Sequence, residues 1–240
     1  MKKEILAIIP ARGGSKRIPN KNIRDFCGES LIARAVKQAK VHPKITRVIV
    51  DTDSPEIAEE AKKHGAEVLY LRPSELATDT AKVVDSILHL LEFLKKEENY
   101  VPEQIVILQT TSPLRRSEDI DRCFELMEKG EADTVLTVCS THPRLYYMDE
   151  EQNLILVNGS EGESTNMQEW RPAYILNGCF VYIVKTEALL REKRIITEHT
   201  KGVLCDKWRS VDLDTPEEWV VAELLFKHQK EIEANLDQFS

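Results

Sequence analysis

No apolar run in this 240-residue sequence approaches the roughly 18 residues that a membrane-spanning helix needs; the longest candidate, Ile5 to Pro10, has the length of a buried strand. A secretory leader is not expected either, because Lys2 and Lys3 are followed by Glu4, a short apolar run and Arg12 without a cleavage-like end. Cysteine is scarce: Cys27, Cys123, Cys139, Cys179 and Cys205 are odd in number, widely spaced and form no CxxC pair. That pattern argues against a disulfide framework or a zinc site and leads us to expect reduced core thiols in a cytoplasmic protein. The six histidines show no metal-like spacing, and there is no internal repeat or low-complexity tract. Basic charge is in deficit, with a formal net charge of −8 and a pI near 5.4. A general nucleic-acid binder needs a broad basic surface and is therefore excluded, which leaves room for one small anionic ligand at a local basic site.

What is present is the balance of a globular α/β protein. Hydrophobic residues make up 42% and charged residues 31%, which excludes disorder and a coiled-coil rod. Apolar, β-branched runs at Ile5 to Pro10, Arg47 to Asp51, Glu67 to Leu71, Gln104 to Gln109, Thr134 to Val138, Cys179 to Val184 and Ser210 to Leu213 read as strands. Continuous hydrophobicity in the first and fourth implies burial on both faces and hence a mostly parallel sheet. Helical patterns lie between them: one opened by Ser54-Pro55 and closed by Gly65, one with the stripe Val83, Ile87, Leu90 or Leu91 and Leu94, and one from Ser117 to near Gly130. Thr215, Pro216 and Glu218 supply an N-cap, a first-turn proline and a capping-box acid for a last helix carrying Trp219, Ala222 and Phe226. The pattern predicts one Rossmann-like domain over residues 1–240, with ligands at the carboxyl ends of the strands. It breaks between Cys139 and Leu176, a polar stretch dotted with Tyr146, Tyr147, Trp170 and Tyr174. Residues 139–176 are too long for a simple connection and are expected to form an inserted arm or a lid.

The strongest chemical signal follows the first strand. Between Arg12 and Arg24 there are five cations and no acid, in a chain that is acidic overall. Gly13 and Gly14 let backbone N–H groups approach a ligand, Ser15 adds a hydroxyl, and Arg12 and Lys21 add charge, so together they can hold a polyphosphate. A solvated basic loop is the bland alternative. The Walker ending GK[ST] and the pattern GxGxxG are both missing, which points away from P-loop kinases and dehydrogenases.

The run Ala11-Arg12-Gly13-Gly14-Ser15-Lys16 with Pro19, Lys21 and Asn22 resembles the signature loop of the sugar-acid cytidylyltransferases, especially the CMP-sialic acid synthetases. The similarity continues, in family order and over nearly the whole chain, through Asp51-Thr52-Asp53-Ser54, Leu71-Arg72-Pro73, Leu76 to Ala81, Leu108 to Arg115, Leu176-Asn177-Gly178 and Val211 to Thr215. This resemblance implies a nucleotidyltransferase fold with a dimerisation arm. It implies a reaction in which CTP and a nine-carbon 2-keto sugar acid, such as N-acetylneuraminic, legionaminic or pseudaminic acid, give the CMP-sugar and pyrophosphate with the help of Mg²⁺. A homodimer acting on small molecules, away from nucleic acid and membranes, is the expected working form.

The resemblance also distributes roles. Arg12, Gly13, Ser15, Lys21 and Asn22 would hold the nucleotide, while Arg72, Thr80 and Ala81 would surround the cytosine. Arg12, Lys21 and Asp212 would carry the catalysis. Strand periodicity puts Asp212 and Asp214 on one face, an arrangement suited to a hard divalent cation that also takes phosphate oxygens and water. Helix capping is their alternative reading, and Asp51 with Asp53 is a rival pair of the same spacing, ranked lower because Asp53 precedes a helix start. Gln109, Thr111 and Ser112 follow a buried strand and can hydrogen-bond a polyhydroxylated sugar, or else cap the loop before Pro113. Asn177 is either a sugar ligand or a turn residue. The proton of the attacking hydroxyl would pass to a metal-bound carboxylate or to water.

Two departures from the family pattern bear on the substrate. Where many sialic acid synthetases carry an Arg-Arg-Gln-Asp-like stretch, this chain has Asn166-Met167-Gln168-Glu169, with Arg171 as a possible substitute. Val83 stands where some relatives place a serine near the base. A cytidylyltransferase for the eight-carbon acid Kdo is the alternative enzyme. A catalytically silent nucleotide-binding regulator is the alternative of another class, opposed by the joint presence of Arg12, Lys21, Asp212 and Asp214.

Overall fold

The computed structural model describes residues 3–157, 171–176, 178 and 180–239. A seven-stranded sheet forms its centre, made of β1 (Ile5–Pro10), β2 (Arg47–Asp51), β3 (Gln104–Ile107), β4 (Thr134–Thr141), β7 (Ala173–Leu176), β8 (Tyr182–Lys185) and β9 (Thr200–Leu204). Their order is β2-β1-β3-β8-β4-β7, with β9 on the other side of β4. Strands β1, β2, β3, β4 and β9 run one way, and β7 and β8 the other. The sheet is thus mixed: the segment read from sequence as one more strand, from Cys179, enters antiparallel between β3 and β4.

Alternation along β1 shows how both faces are buried. Ile5, Ala7 and Ile9 pack in one core with Ile32 and Val36 of α1 (Leu31–Val41), Ile57 and Ala61 of α2 (Pro55–Lys63), and Ile120 and Phe124 of α4 (Ser117–Glu128). Leu6 and Ile8 face the opposite core, with Ile87, Leu90, Leu91 and Leu94 of α3 (Val83–Glu98) and Leu189 of α5 (Thr186–Glu192). Each such aliphatic side chain contributes roughly 1.5–3 kcal/mol on burial, so the two faces make the sheet a fixed platform for the loops at its carboxyl ends.

The helix boundaries follow the capping chemistry. The Ser54 hydroxyl accepts from the Ile57 N–H, Pro55 opens α2, and Gly65 at φ 85° follows its end. In α6 (Pro216–Leu236), the Thr215 hydroxyl accepts from the Glu218 N–H at 3.3 Å, while Glu218 Oε2 accepts from the Thr215 N–H at 2.7 Å. A third, smaller core of Ile18, Phe26, Leu31, Leu213, Trp219 and Ala222 ties the basic loop to α6 and to the segment bearing Asp212 and Asp214.

Two expected strands are absent. Glu67 to Leu71 makes one bridge, Glu67 with Ile49, and then leaves the sheet as Val68 joins one core and Leu69 and Tyr70 the other. Ser210 to Leu213 has no ladder; the Leu213 N–H donates to the Thr111 carbonyl at 2.9 Å. Edge strand β9 was not expected, because Lys201 and Gly202 interrupt its apolar run.

The excursion from 139 to 176 begins and ends inside β4 and β7. Between those strands lies an antiparallel pair, β5 (Tyr146–Met148) and β6 (Leu154–Leu156). Among the described residues, no helix is long and apolar enough to cross a membrane.

Candidate active site

A cleft of about 560 Å³ opens over the carboxyl ends of β1 and β3. Its floor comes from Pro10, Gln109, Thr110 and Thr111, and its two ends differ in chemistry. Arg12, Lys16, Arg17 and Lys21 make one end cationic, and Leu76, Ala81 and Val83 make part of the wall apolar. An anionic chain attached to a flat, weakly polar ring matches that division.

The basic loop is held from below by Asn22, which is 5% exposed. Its Nδ2 donates to the Arg12 carbonyl at 2.9 Å, and its Oδ1 accepts from the Thr110 hydroxyl. Arg12 Nη1 reaches Asp79 Oδ1 at 2.8 Å, and Lys16 pairs with the other oxygen of the same carboxylate. Those hydrogen bonds and charges hold the Asp79 carboxyl below the ordinary aspartate range. Ser15 lines the cleft. The Gly13 N–H donates to Asp53 Oδ1 at 2.8 Å, and a Cβ on Gly13 would lie 2.9 Å from the Ser54 Cβ, so close packing on the loop before α2 adds a second reason for glycine there.

Lys21 links the loop to the acidic segment. Its Nζ donates to the Leu213 carbonyl at 2.7 Å and lies 3.5 Å from Asp214 Oδ1. Asp212 Oδ1 is buried without a hydrogen-bond partner among the described residues, as is the Thr111 hydroxyl oxygen. Burial raises the Asp212 carboxyl above the ordinary range; Asp214 and Glu218 add to the rise, while the nearby Thr111 hydroxyl and Lys21 pull against it. An orphaned buried carboxylate oxygen, with a second carboxylate two residues on at the cleft edge, fits a hard cation such as Mg²⁺. Among the described residues, no group of three or more His, Cys, Asp or Glu could hold a metal ion unaided. The remaining ligands would be phosphate oxygens and water. Of the rival pair, Asp53 is engaged with Gly13 and Asp51 with Arg72.

The other expected residues are dispersed around this centre. Gln109 and Thr111 line the cleft, whereas Ser112 is buried and its hydroxyl donates to the Gly178 carbonyl. Arg72 and Ala81 belong to the cleft wall; Thr80 is exposed, its hydroxyl 3.4 Å from that of Thr78. Asn177 and the stretch 166–169 lie outside the described residues. Three features were missed in the sequence. Asp79 and the Lys16 it binds were quoted only as parts of motifs. Arg115, 4% exposed, donates to the carbonyls of Gln109 and Phe180 and to Gln38, and burial lowers its pKa to about 10. Arg209 pairs through two nitrogens with the carboxylate of Asp119, which is fully buried, and so anchors the chain three residues before Asp212.

Gly178, at φ 66°, packs directly on Asp212: an added Cβ would sit 2.8 Å from the Asp212 Cβ and 3.1 Å from its Cα. Gly178→Ala is expected to cost about 1–2 kcal/mol in stability through the left-handed backbone. Activity should fall further, by about 10- to 100-fold, because a displacement near 1 Å of a reacting group has that effect. Urea midpoints and turnover on the same preparation test this; activity that tracks the folded fraction alone would refute it.

A mixed α/β sheet with a cationic loop at its carboxyl end and an acidic segment meeting that loop suits a nucleotidyltransferase. The chain belongs to the cytidylyltransferase family, whose profile matches residues 6–223. It is 34% identical over 230 residues to the CMP-N,N'-diacetyllegionaminic acid synthase of Legionella pneumophila, covering 95% of this chain and 98% of that protein. An N-acylneuraminate cytidylyltransferase of Streptococcus agalactiae is 32% identical over 231 residues, which are 93% of this chain and 54% of that longer protein. Among solved structures, a CMP-2-keto-3-deoxy-manno-octonic acid synthetase complexed with CTP superimposes with a TM-score of 0.69 over 95% of this chain and 100% of that one; at 15% identity the likeness is one of fold.

Proposed function

We propose that the chain transfers CMP from CTP to a nine-carbon 2-keto sugar acid and releases pyrophosphate. The observation that carries this reading is the meeting of Lys21 with the Leu213–Asp214 segment, which brings the cationic loop and the acidic pair to one cleft. In the reaction, the anomeric hydroxyl of the sugar attacks the α-phosphorus in line, a new O–P bond forms, and the bond to the pyrophosphate oxygen breaks. Positioning and charge neutralisation supply most of the catalysis in transfers of this kind. Arg12, Lys16 and Lys21 take up the charge that gathers on the leaving pyrophosphate. Asn22 and Thr110 hold the loop, and Gln109 and Thr111 face the incoming sugar. Mg²⁺ bound by Asp212 and Asp214 would neutralise phosphate oxygens and orient them.

Pyrophosphate release with CTP, Mg²⁺ and a panel of acids tests the reading. Release with N-acetylneuraminic, legionaminic or pseudaminic acid is expected; release with Kdo alone, or with no acid despite CTP binding, would refute it. Because the chain has Met167 in the stretch where many sialic acid synthetases resemble one another in an Arg-Arg-Gln-Asp-like run, an acid with a deoxy tail is expected to be preferred over N-acetylneuraminic acid. A preference of about 10- to 200-fold in kcat/KM is the scale of such apolar contacts.

The working form in this reading is a cytoplasmic homodimer. Tyr146, Tyr147, Met148, Leu154, Tyr174 and Leu176 of the 139–176 segment are all more than 40% exposed, an apolar surface of the kind that a second copy covers. Light scattering should give twice the monomer mass at assay concentration. A fully active monomer would make the segment a lid instead.

A further inference from the structure

Two of the cations that the proposed reaction gives to the leaving pyrophosphate hold a carboxylate of this chain. Asp79 Oδ1 lies 2.8 Å from Arg12 Nη1, and Oδ2 pairs with Lys16, so the two oxygens bridge two side chains of the basic loop in the manner of a phosphate group. Arg12 Nη1 also reaches the Thr78 carbonyl at 3.4 Å. The same carbonyl accepts from the Ala81 N–H at 3.3 Å and closes a turn, with Asp79 at its corner. Lys16 and Arg12 hold the Asp79 carboxyl below the ordinary aspartate range, which makes it an anion at neutral pH. Asp79 and Asp214 are the acids among the described residues lining the cleft. Asp214 belongs to the pair suited to a metal ion, whereas Asp79 is bound to the loop cations themselves.

We infer that Asp79 competes with the polyphosphate for Arg12 and Lys16, so that it lowers the affinity of the cleft for CTP and promotes the departure of pyrophosphate. The inference rests on the reading of this end of the cleft as the polyphosphate site.

The strength of the contact suits exchange. The Asp79 side chain is 47% exposed and both of its partners reach solvent, so these are weak, water-screened ion pairs. The Asp119–Arg209 pair is the opposite case: it is buried, and breaking it would strand a charge away from water. A polyphosphate brings several negative charges to the nitrogens that a single carboxylate holds at Asp79, and it wins that competition. Arg12 has further donors and is able to bind both anions at once, but carboxylate and phosphate would then face each other as like charges. Whether the carboxylate turns away or stays, its charge opposes the ligand. The same repulsion acts on pyrophosphate once its bond to the α-phosphorus is broken and it is no longer tethered to the nucleotide. The alternative role for Asp79 is a staple that presets Arg12 and Lys16 for the phosphates. Removing a staple weakens binding, and removing a competitor strengthens it, so the two roles differ in sign.

Calorimetry on the full chain with CTP and with inorganic pyrophosphate, at one fixed Mg²⁺ concentration, reads that sign. Asp79→Asn keeps the size of the side chain at a site outside any helix or strand, and circular dichroism checks its folding. Both ligands are expected to bind about 3- to 10-fold more tightly to Asp79→Asn than to the wild type, the scale of two exposed ion pairs taken out of competition. The gain should narrow as salt is raised, because the competing charges are exposed. In steady-state turnover, pyrophosphate should inhibit the variant at correspondingly lower concentration while KM for the sugar acid stays unchanged. Asp79→Ala, which removes the side-chain oxygens altogether, must shift both affinities in the same direction. Unchanged or weaker binding of CTP and pyrophosphate in the folded variants overturns the proposal. Failure of the enzymatic reading shows separately, as absent pyrophosphate release with every acid while Asp79→Asn still tightens CTP. A wild type that binds neither CTP nor pyrophosphate overturns both.

Discussion

Lys21→Ala is expected to lose about two to three decades of turnover while remaining folded, the usual effect of deleting one charged contact used in a transition state. Two features of its position set this size. The side chain is 14% exposed, so its charge acts through little water, and its Nζ already spans the basic loop and the acidic segment through Leu213 and Asp214. In the proposed reaction, removing it would take a cation from the leaving pyrophosphate and loosen the neighbourhood of Asp214 together. Arg12 offers a contrast, with a side chain 39% exposed and tied to Asp79. Arg12→Ala should therefore fall less than Lys21→Ala. The structural cost of Lys21→Ala is one hydrogen bond to a carbonyl, about 1 kcal/mol, too little to unfold the domain. Steady-state pyrophosphate release at saturating CTP, with circular dichroism as the control, measures the effect. Near-normal turnover in the folded variant would remove Lys21 from the mechanism.

Much of this site was legible in the sequence because it is built on local signals. A run of cations after a buried apolar strand, Asp212 and Asp214 at strand spacing, and the Thr215-Pro216-Glu218 cap each lie within a few residues of one another. What was illegible depends on pairings across the chain. Asp119 meets Arg209 at a separation of 90 residues, and a buried arginine such as Arg115 looks in sequence like any surface arginine. The reversed direction of β8 was equally hidden, since an apolar run carries no sign of its orientation in a sheet. Glu67 to Leu71 shows the limit from the other side: its hydrophobicity is genuine, but Val68 on one side and Leu69 and Tyr70 on the other pack against different cores after a single bridge, so burial did not mean a strand.

Asp212→Asn should produce a loss comparable to that of Lys21→Ala, about two to three decades in turnover, together with a higher Mg²⁺ requirement. The substitution preserves shape beside Gly178, where a Cβ would already collide, and so changes charge with little repacking. Asp212 Oδ1 has no hydrogen-bond partner among the described residues, and the loss is expected to come from the changed charge. Asp214 is 57% exposed in its side chain and shares its charge with Lys21, so Asp214→Asn should give a smaller loss of turnover with a similar shift in Mg²⁺ requirement. Asp51→Asn serves as the control among acids of the same spacing: its carboxylate is committed to Arg72, and its Mg²⁺ dependence should match the wild type. Mn²⁺ binding followed by electron paramagnetic resonance in the presence of CTP provides a readout apart from turnover, and it should weaken in both Asp212→Asn and Asp214→Asn. If the Asp51 variant alone binds Mn²⁺ poorly and needs more Mg²⁺, the metal belongs at the end of β2 and the two acidic pairs exchange roles.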